Sequence, residues 1–313
     1  MRDVLKGDDD SILAVLAVIE AVAPDVLVLT DFDHDHDQLA LIAFAEVAGY
    51  PHHFSRPPNS GIPTGFDIDR NGRLGEARDA QGYGRFTGDS GLAVLSQHPI
   101  EVGQVRDHSM MLWRDLPGAK IPPTDTSDVV AVQRLSSTGH WIVPIAAPGG
   151  PFDLLVSSHT PPVFDGPEDR NGLRNQDELG LWVAILKGDL GAAPRDFVFA
   201  ANFNLDPVDG EGRPDILHDL LNHPKVQDPH PRSAGGQAAA NPDHQGDPGL
   251  DTADWSETGP GNLRMSYVLP ATTWDVVDAG VFWPGAEDPL AELLGDEGLA
   301  AGPHRLVWGD IRR

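Results

Sequence analysis

Residues 11–23, SILAVLAVIEAVA, place apolar side chains at Ile12, Val15, Leu16, Ile19 and Val22. That spacing predicts a helix with one apolar face, Ser11 serving as its N-cap and Pro24 lying beyond its end. The run that follows, DVLVL (25–29), is short, β-branched and apolar without alternation, as in a strand covered on both faces. The same pattern recurs in GLAVLS (91–96), WIVPIAA (141–147), FDLLVSSH (152–159), DFVFAANF (196–203), MSYVLP (265–270), WDVVDAGVFW (274–283) and HRLVWGDI (304–311). Further helices are predicted near 38–48, 173–187 and 214–222. Long Gly/Pro/Asp-rich connections at 55–90, 114–130 and 227–262 separate these elements and are expected to gather on one rim. No repeat or linker divides the chain. The pattern therefore predicts a single α/β domain over residues 1–313, with two packed sheets flanked by helices in preference to a regular βαβ alternation.

Composition narrows the chemistry. The chain has 313 residues, 40% of them hydrophobic, enough for a sizeable core. Its 22 basic and 48 acidic residues leave a net charge of −26, which repels polyanions. Duplex nucleic acid is disfavoured as a partner on that ground, while a small phosphoester at a metal-assisted site stays possible. The absence of cysteine excludes disulfides, thiol catalysis and cysteine-based metal centres. No apolar run approaches the roughly 18 residues of a spanning helix, and MRDVLKGDDD is not a signal peptide, so the sequence reads as a soluble chain. Its acidity suits a high-salt or extracellular setting. Compartment and oligomeric state are left open.

Polar residues collect at the predicted strand ends. In LTDFDHDHDQLAL (29–41), Asp31 and Asp33 follow one strand; His159 ends another; Asn202 and Asn204 end a third; His304 opens the last. Carboxylate, amide and imidazole groups at one end of a sheet suit hydrolytic metal chemistry: hard oxygen ligands for Mg²⁺ or Mn²⁺ and a base for water. Asp35, His36 and Asp37 fit the cap of the helix beginning near Gln38, where negative charge meets the helix dipole. A separate signal lies at 67–76, DIDRNGRLGE. Asp67, Asp69 and Asn71 at alternate positions, followed by Gly72, reproduce the first half of a Ca²⁺ loop, although position twelve is Arg78 in place of a bidentate glutamate. An Asx-turn without metal explains the same residues. DPVDGEGRPD (206–215) is a weaker example.

Five ordered segments, GLAVLSQHPI, SSHTPPVFDGPEDRNGLRNQDEL, FVFAANFNLDP, LRMSYVLP and GPHRLVW, together resemble the endonuclease/exonuclease/phosphatase superfamily over about residues 11–311. HTPPVFDGPEDRNG is similar to a bacterial branch of it. The resemblance implies the deoxyribonuclease-like four-layer sandwich, a divalent-metal-dependent phosphoesterase activity, Asp31 as metal ligand, His159 and Asn204 on the phosphate, and His304 as base. Several motifs depart from the pattern. The Gly-Asp-x-Asn segment stands as Ala201-Asn202-Phe203-Asn204, with an amide where the water-orienting aspartate is expected. Arg-Ile-Asp-Tyr reads Arg264-Met265-Ser266-Tyr267, and Ser-Asp-His reads Gly302-Pro303-His304. The family's first strand should precede the helix at 11–23, where ten residues stand. Either a segment is missing ahead of Met1, in which case a secreted or periplasmic location is open, or the sheet lacks a strand beside its site.

Three functions follow as expectations: a hydrolase of small phosphodiesters or phosphomonoesters with a divergent site; a catalytically silent relative acting as a binding or scaffold protein; and a Ca²⁺-binding extracellular module.

Overall fold

The computed structural model describes residues 2–313. Its helices are α1 (Arg2–Lys6), α2 (Asp10–Val22), α3 (Leu39–Val47), α4 (Ser127–Val132), α5 (Arg170–Lys187), α6 (Asp215–Leu221) and α7 (Ala234–Ala238). Its strands are β1 (Val26–Phe32), β2 (His52–Phe54), β3 (Gly91–Ser96), β4 (Arg106–Asp107), β5 (Gly139–Ile145), β6 (Phe152–Ser158), β7 (Val198–Asn202), β8 (Ser266–Pro270), β9 (Asp275–Val281) and β10 (Val307–Arg312). All eight predicted strands and four predicted helices are present, most within a few residues of the expected bounds. The main shift is that β10 begins at Val307, leaving His304 in an isolated bridge to Ala253.

A large sheet runs in the order β4-β5-β6-β7-β8, antiparallel except for the parallel pair β6–β7. A smaller antiparallel sheet runs β1-β3-β2, and β9 and β10 form a two-stranded ribbon. Alternation in β3 shows how the layers stack. Leu92 and Val94 belong to the main core with Trp141, Leu154 and Trp182, whereas Ala93 and Leu95 join Ile19, Leu41 and Phe44 of α2 and α3. Successive side chains on one strand face opposite sides, so the small sheet lies between the α2/α3 layer and the large sheet. Helix α5 covers the far side of the large sheet with Leu179, Trp182 and Leu186. The layers are helix, sheet, sheet, helix. The four-layer α/β sandwich expected from the sequence is the observed fold.

The connection 55–90 is less loose than its composition suggested. Asn59 is buried and donates to the Ser109 and Ser136 carbonyls at 2.7 and 2.8 Å, and Gln81 Nε2 donates to the Val132 carbonyl at 2.9 Å. Side-chain amides thus meet the backbone groups that no ladder satisfies. Among the described residues no helix is long and apolar enough to cross a membrane.

Candidate active site at the sheet ends

A bulge sets the position of Asp31. Thr30 pairs with Leu92 and Phe32 with Gly91, leaving Asp31 unpaired at φ +61°, a conformation aspartate tolerates better than most residues. Leu27, Leu29 and Phe32 all pack toward α2 and α3, so the extra residue breaks the alternation and leaves the Asp31 carboxylate exposed at the strand end. Asp33 accepts from the Ser90 amide at 3.1 Å and ties down the neighbouring turn. Asp35 is the helix cap: it accepts from the Leu39 and Ala40 amides at 2.8 and 3.0 Å. His36 and Asp37 pair with each other in solvent.

Asn202 ends β7, in register with Ser158 on one side and Ser266 on the other. Its Oδ1 accepts from the Asn204 amide at 3.1 Å, and its Nδ2 donates to Asn204 Oδ1 at 3.2 Å. Asn204, at φ +50°, donates through Nδ2 to the His159 carbonyl at 2.6 Å. The Ser266 amide is held by Thr252 Oγ1 at 2.9 Å. Asn202, Ser266 and His304 line one end of a cleft of about 1370 Å³, together with Thr30 and Phe32 on either side of Asp31. The His304 ring meets the edge of Trp255 at 5.1 Å. Burial lowers its pKa, and nearby Asp31 acts in the opposite direction. Its Nδ1 is buried with no hydrogen-bond partner. Pro303, the residue before His304, offers no side-chain acceptor.

His159 lies elsewhere. It is 2% exposed, its Nε2 contacts Ser157 Oγ at 2.9 Å, and its ring stacks on His140 at 5.0 Å and tilts against Phe203. Ser157 Oγ in turn accepts from Trp182 of α5, so the imidazole faces the covered side of the large sheet. What His159 brings to the sheet end is its backbone carbonyl. Beside it, Glu178 accepts from the Ser137 amide, the Ser137 hydroxyl and the Thr160 amide at 2.6, 2.8 and 2.7 Å. Burial pushes its carboxyl up to about 7. Burial also drives the His140 pKa down to about 3 and that of His159 well below the ordinary value.

The loop at 67–79 forms a second acidic centre. Asp67, Asp69 and Asp79 each bring a carboxylate oxygen within 4.8 Å of the others. Asn71, expected as a ligand, instead donates Nδ2 to Asp69 and Glu76 and accepts the Arg73 amide on Oδ1. Asp79 was outside the sequence expectation because it falls one position past the loop's twelfth residue. Among the described residues this is the group of three or more carboxylate or imidazole donors close enough to share an ion. The sheet end offers two exposed carboxylates, Asp31 and Asp33, the latter tied to the Ser90 amide, beside amide and hydroxyl oxygens. That set fits Mg²⁺, which retains waters and takes only one or two protein carboxylates beside substrate phosphate.

Residues 4–302 match the model of the Endonuclease/Exonuclease/phosphatase family, and the chain belongs to that family. Its members are metal-dependent phosphoesterases, which supports a phosphoesterase-type hydrolase in general. Similar solved structures share the fold at low identity. An endonuclease/exonuclease/phosphatase from Beutenbergia cavernae is 20% identical with a TM-score of 0.57; the match covers 97% of this chain and 66% of that one. The 3'-5' exonuclease NExo from Neisseria meningitidis is 13% identical with a TM-score of 0.53, covering 97% and 95%. The human Nocturnin catalytic domain is 14% identical with a TM-score of 0.52, covering 96% and 85%. Among curated proteins none matches the sequence.

Proposed function

We propose that this protein hydrolyses small phosphoesters, diester or monoester, with Mg²⁺ or Mn²⁺, through a divergent version of its family's site. The observation that carries the reading is the convergence of Asn202, Ser266 and His304 on the end of one cleft, with Asp31 close enough to His304 to act on its charge. Asp31 would hold the ion, which when bound offsets negative charge on the phosphoryl oxygens. Asn202 would bind a phosphate oxygen. Asn204, anchored on the His159 carbonyl, holds Asn202 in position. His304, kept neutral near pH 7 by burial, accepts a proton from water. With a net charge of −26 the substrate is a small or exposed phosphoester in preference to duplex DNA.

The test is hydrolysis of bis(p-nitrophenyl) phosphate and of plasmid DNA with Mg²⁺, Mn²⁺ or chelator. Metal-dependent cleavage of the small diester, faster than plasmid nicking and lost in His304→Ala, supports the reading. Efficient nicking in moderate salt overturns the substrate class. A second reading, a catalytically silent relative acting as a binding or scaffold protein, is favoured by the unpartnered Nδ1 of His304 and by the mutual pairing of Asn202 with Asn204. Absence of turnover in a folded protein that also fails to bind Mn²⁺ would select it. At the 67–79 loop we propose a structural Ca²⁺ held by Asp67, Asp69 and Asp79.

A further inference from the structure

Phe164 is the most exposed large apolar side chain among the described residues, at 79%, and its backbone is left-handed, at φ +68°. Single exposed apolar side chains are ordinary. The combination is not. Ten non-glycine residues among those described have a positive φ; the other nine are small or polar, and for a ring as bulky as phenylalanine the conformation is strained. Its neighbours hold it there. Asn171, in the first turn of α5, donates through Nδ2 to the Val163 carbonyl at 2.6 Å, and its backbone amide donates to the Asp165 carboxylate. One helix residue thus ties down both sides of Phe164, and the ring is turned out between them. Burial does not offset the strain, because the ring is in solvent. The loop that carries it starts at the sheet end. Asn204 holds the His159 carbonyl, Asn175 Nδ2 donates to the Thr160 and Phe203 carbonyls at 2.8 Å each, and the Cγ of buried Pro162 lies 3.3 Å from where a Cβ would stand on Gly212. Residues 159–162 are therefore fixed against the segment that follows Asn202. Phe164 comes four residues after Thr160, within about 14 Å of it even on an extended chain.

We propose that Phe164 is a specificity-determining residue: its ring stacks on a planar ring in the organic group of the phosphoester, so that aryl esters bind in preference to saturated ones of the same size. This deepens the phosphoesterase reading and rests on it. Stacking suits a lone ring held rigidly at the rim. An aromatic face needs one flat partner, whereas an alkyl chain needs a groove to bury it. The ordering is already made in the free protein, since Asn171 fixes the loop and phenylalanine has only two rotors, so little affinity is lost in binding. The organic group keeps its ring while the phosphorus reacts. The contact is therefore equal in bound substrate and transition state, and it acts on KM and leaves kcat alone.

The test is calorimetric binding of phenylphosphonate and cyclohexylphosphonate, which match in size and differ in planarity and are not hydrolysed, to the 313-residue chain with Mn²⁺. Wild type should bind the phenyl compound about three- to tenfold more tightly. Phe164→Asn, which suits the left-handed backbone, should erase that preference with the thermal midpoint retained or raised, and Phe164→Tyr should keep it. With bis(p-nitrophenyl) phosphate, Phe164→Asn should raise KM by a similar factor and leave kcat unchanged. Equal binding of the two phosphonates by wild type, or a preference that survives Phe164→Asn, overturns the proposal. So does a midpoint lowered by about 3 °C or more in Phe164→Asn, since the ring would then be holding the loop. Metal-dependent hydrolysis without any ring preference removes this inference and leaves the phosphoesterase reading in place. A ring preference that depends on Phe164 in a protein that hydrolyses no phosphoester upholds the stacking and removes the catalytic reading. Failure of wild type to bind either phosphonate overturns both.

Discussion

The two sides of the large sheet use the same residue types for opposite ends. On the side covered by α5, His140, His159 and Glu178 are sealed in a network with Ser136, Ser137, Ser157 and Thr160. On the side facing the small sheet, His304 and Asn202 line a cleft that the packing leaves open, and Asp31 is exposed between its lining residues Thr30 and Phe32. A histidine beside a strand is thus a structural strut in one half and a candidate base in the other. Access decides between them: a base must reach the proton it removes within hydrogen-bond distance.

The sharpest way to break that comparison is to truncate both histidines. His304→Ala is expected to reduce phosphodiester hydrolysis by about 10²–10⁴-fold, the usual scale of general acid–base assistance, with little change in thermal midpoint. His159→Ala should do the reverse, costing about 2–4 kcal/mol of stability through the cavity it opens, with turnover retained in the folded fraction. Kinetics and calorimetry on the two variants decide it. Loss of turnover in a fully stable His159→Ala protein would place that residue back at the phosphate.

The next largest effect tests whether the open side has lost its chemistry or only its carboxylates. Asn202→Asp with Ser266→Asp should raise Mg²⁺- or Mn²⁺-dependent turnover by about tenfold or more, since a carboxylate there can orient water. The same change removes the Nδ2 bond from Asn202 to Asn204 Oδ1, and Asn204 cannot turn its amide without losing the His159 carbonyl. Without metal the double variant is therefore expected to be less stable by about 1 kcal/mol, and Mn²⁺ should recover that loss. A stability loss that Mn²⁺ does not recover, with no gain in turnover, would mean that no ion binds at the sheet end.

Much of this architecture was legible beforehand because the apolar runs are long and unalternated, as strands covered on both faces must be. The short pieces were not: β2 and β4 have three and two residues, too few to carry a period, and they pair only because β3 and β5 are already in place. At the site, the ordered motifs pointed to Asn202, Asn204 and His304, since the first two end or follow β7 and the third shortly precedes β10. Side-chain direction was not legible. Whether His159 faces the cleft or α5 depends on the pleat at the end of β6 and on His140 and Phe203, which are distant in sequence. Asp79 was missed for a related reason: it reaches Asp67 and Asp69 through a helical turn, Ala77–Asp79, that places it back over the loop.

The buried side also makes a proton-linked prediction. The folded values of His140 and His159 lie below the ordinary histidine value, so the unfolded chain binds protons that the folded chain refuses once pH falls below about 6.5. Each refused proton costs up to about 1.4 kcal/mol per pH unit. Glu178 works the other way: its raised value means that stability is lost as pH rises from about 4.5 toward 7. The clean measurement is a difference. Unfolding free energy of wild type minus that of His159→Gln should decline on acidification from pH 7 to 5 with a slope approaching one proton. A flat difference would mean that His159 protonates in the folded state, and hence reaches solvent.

The smallest expected effect concerns the acidic loop, which contrasts with the sheet end by bringing three carboxylates within reach of one another. Asp67 already accepts the Asn71 and Gly72 amides, and Asp79 accepts the Ile68 and Glu76 amides, so the loop has a fold of its own without an ion. Bound Ca²⁺ relieves the mutual repulsion of Asp67, Asp69 and Asp79 and stabilises the folded state alone. At about ten times its dissociation constant the gain is about 1.4 kcal/mol, a rise of about 2–4 °C in the midpoint for a chain of this size. Asp79→Asn should remove most of that rise while leaving hydrolysis unchanged, because Asp79 lies outside the cleft. If Ca²⁺ and chelator give the same midpoint in wild type, hydrogen bonding alone holds the loop, and Asp31 is left as the protein's candidate for a metal-binding carboxylate.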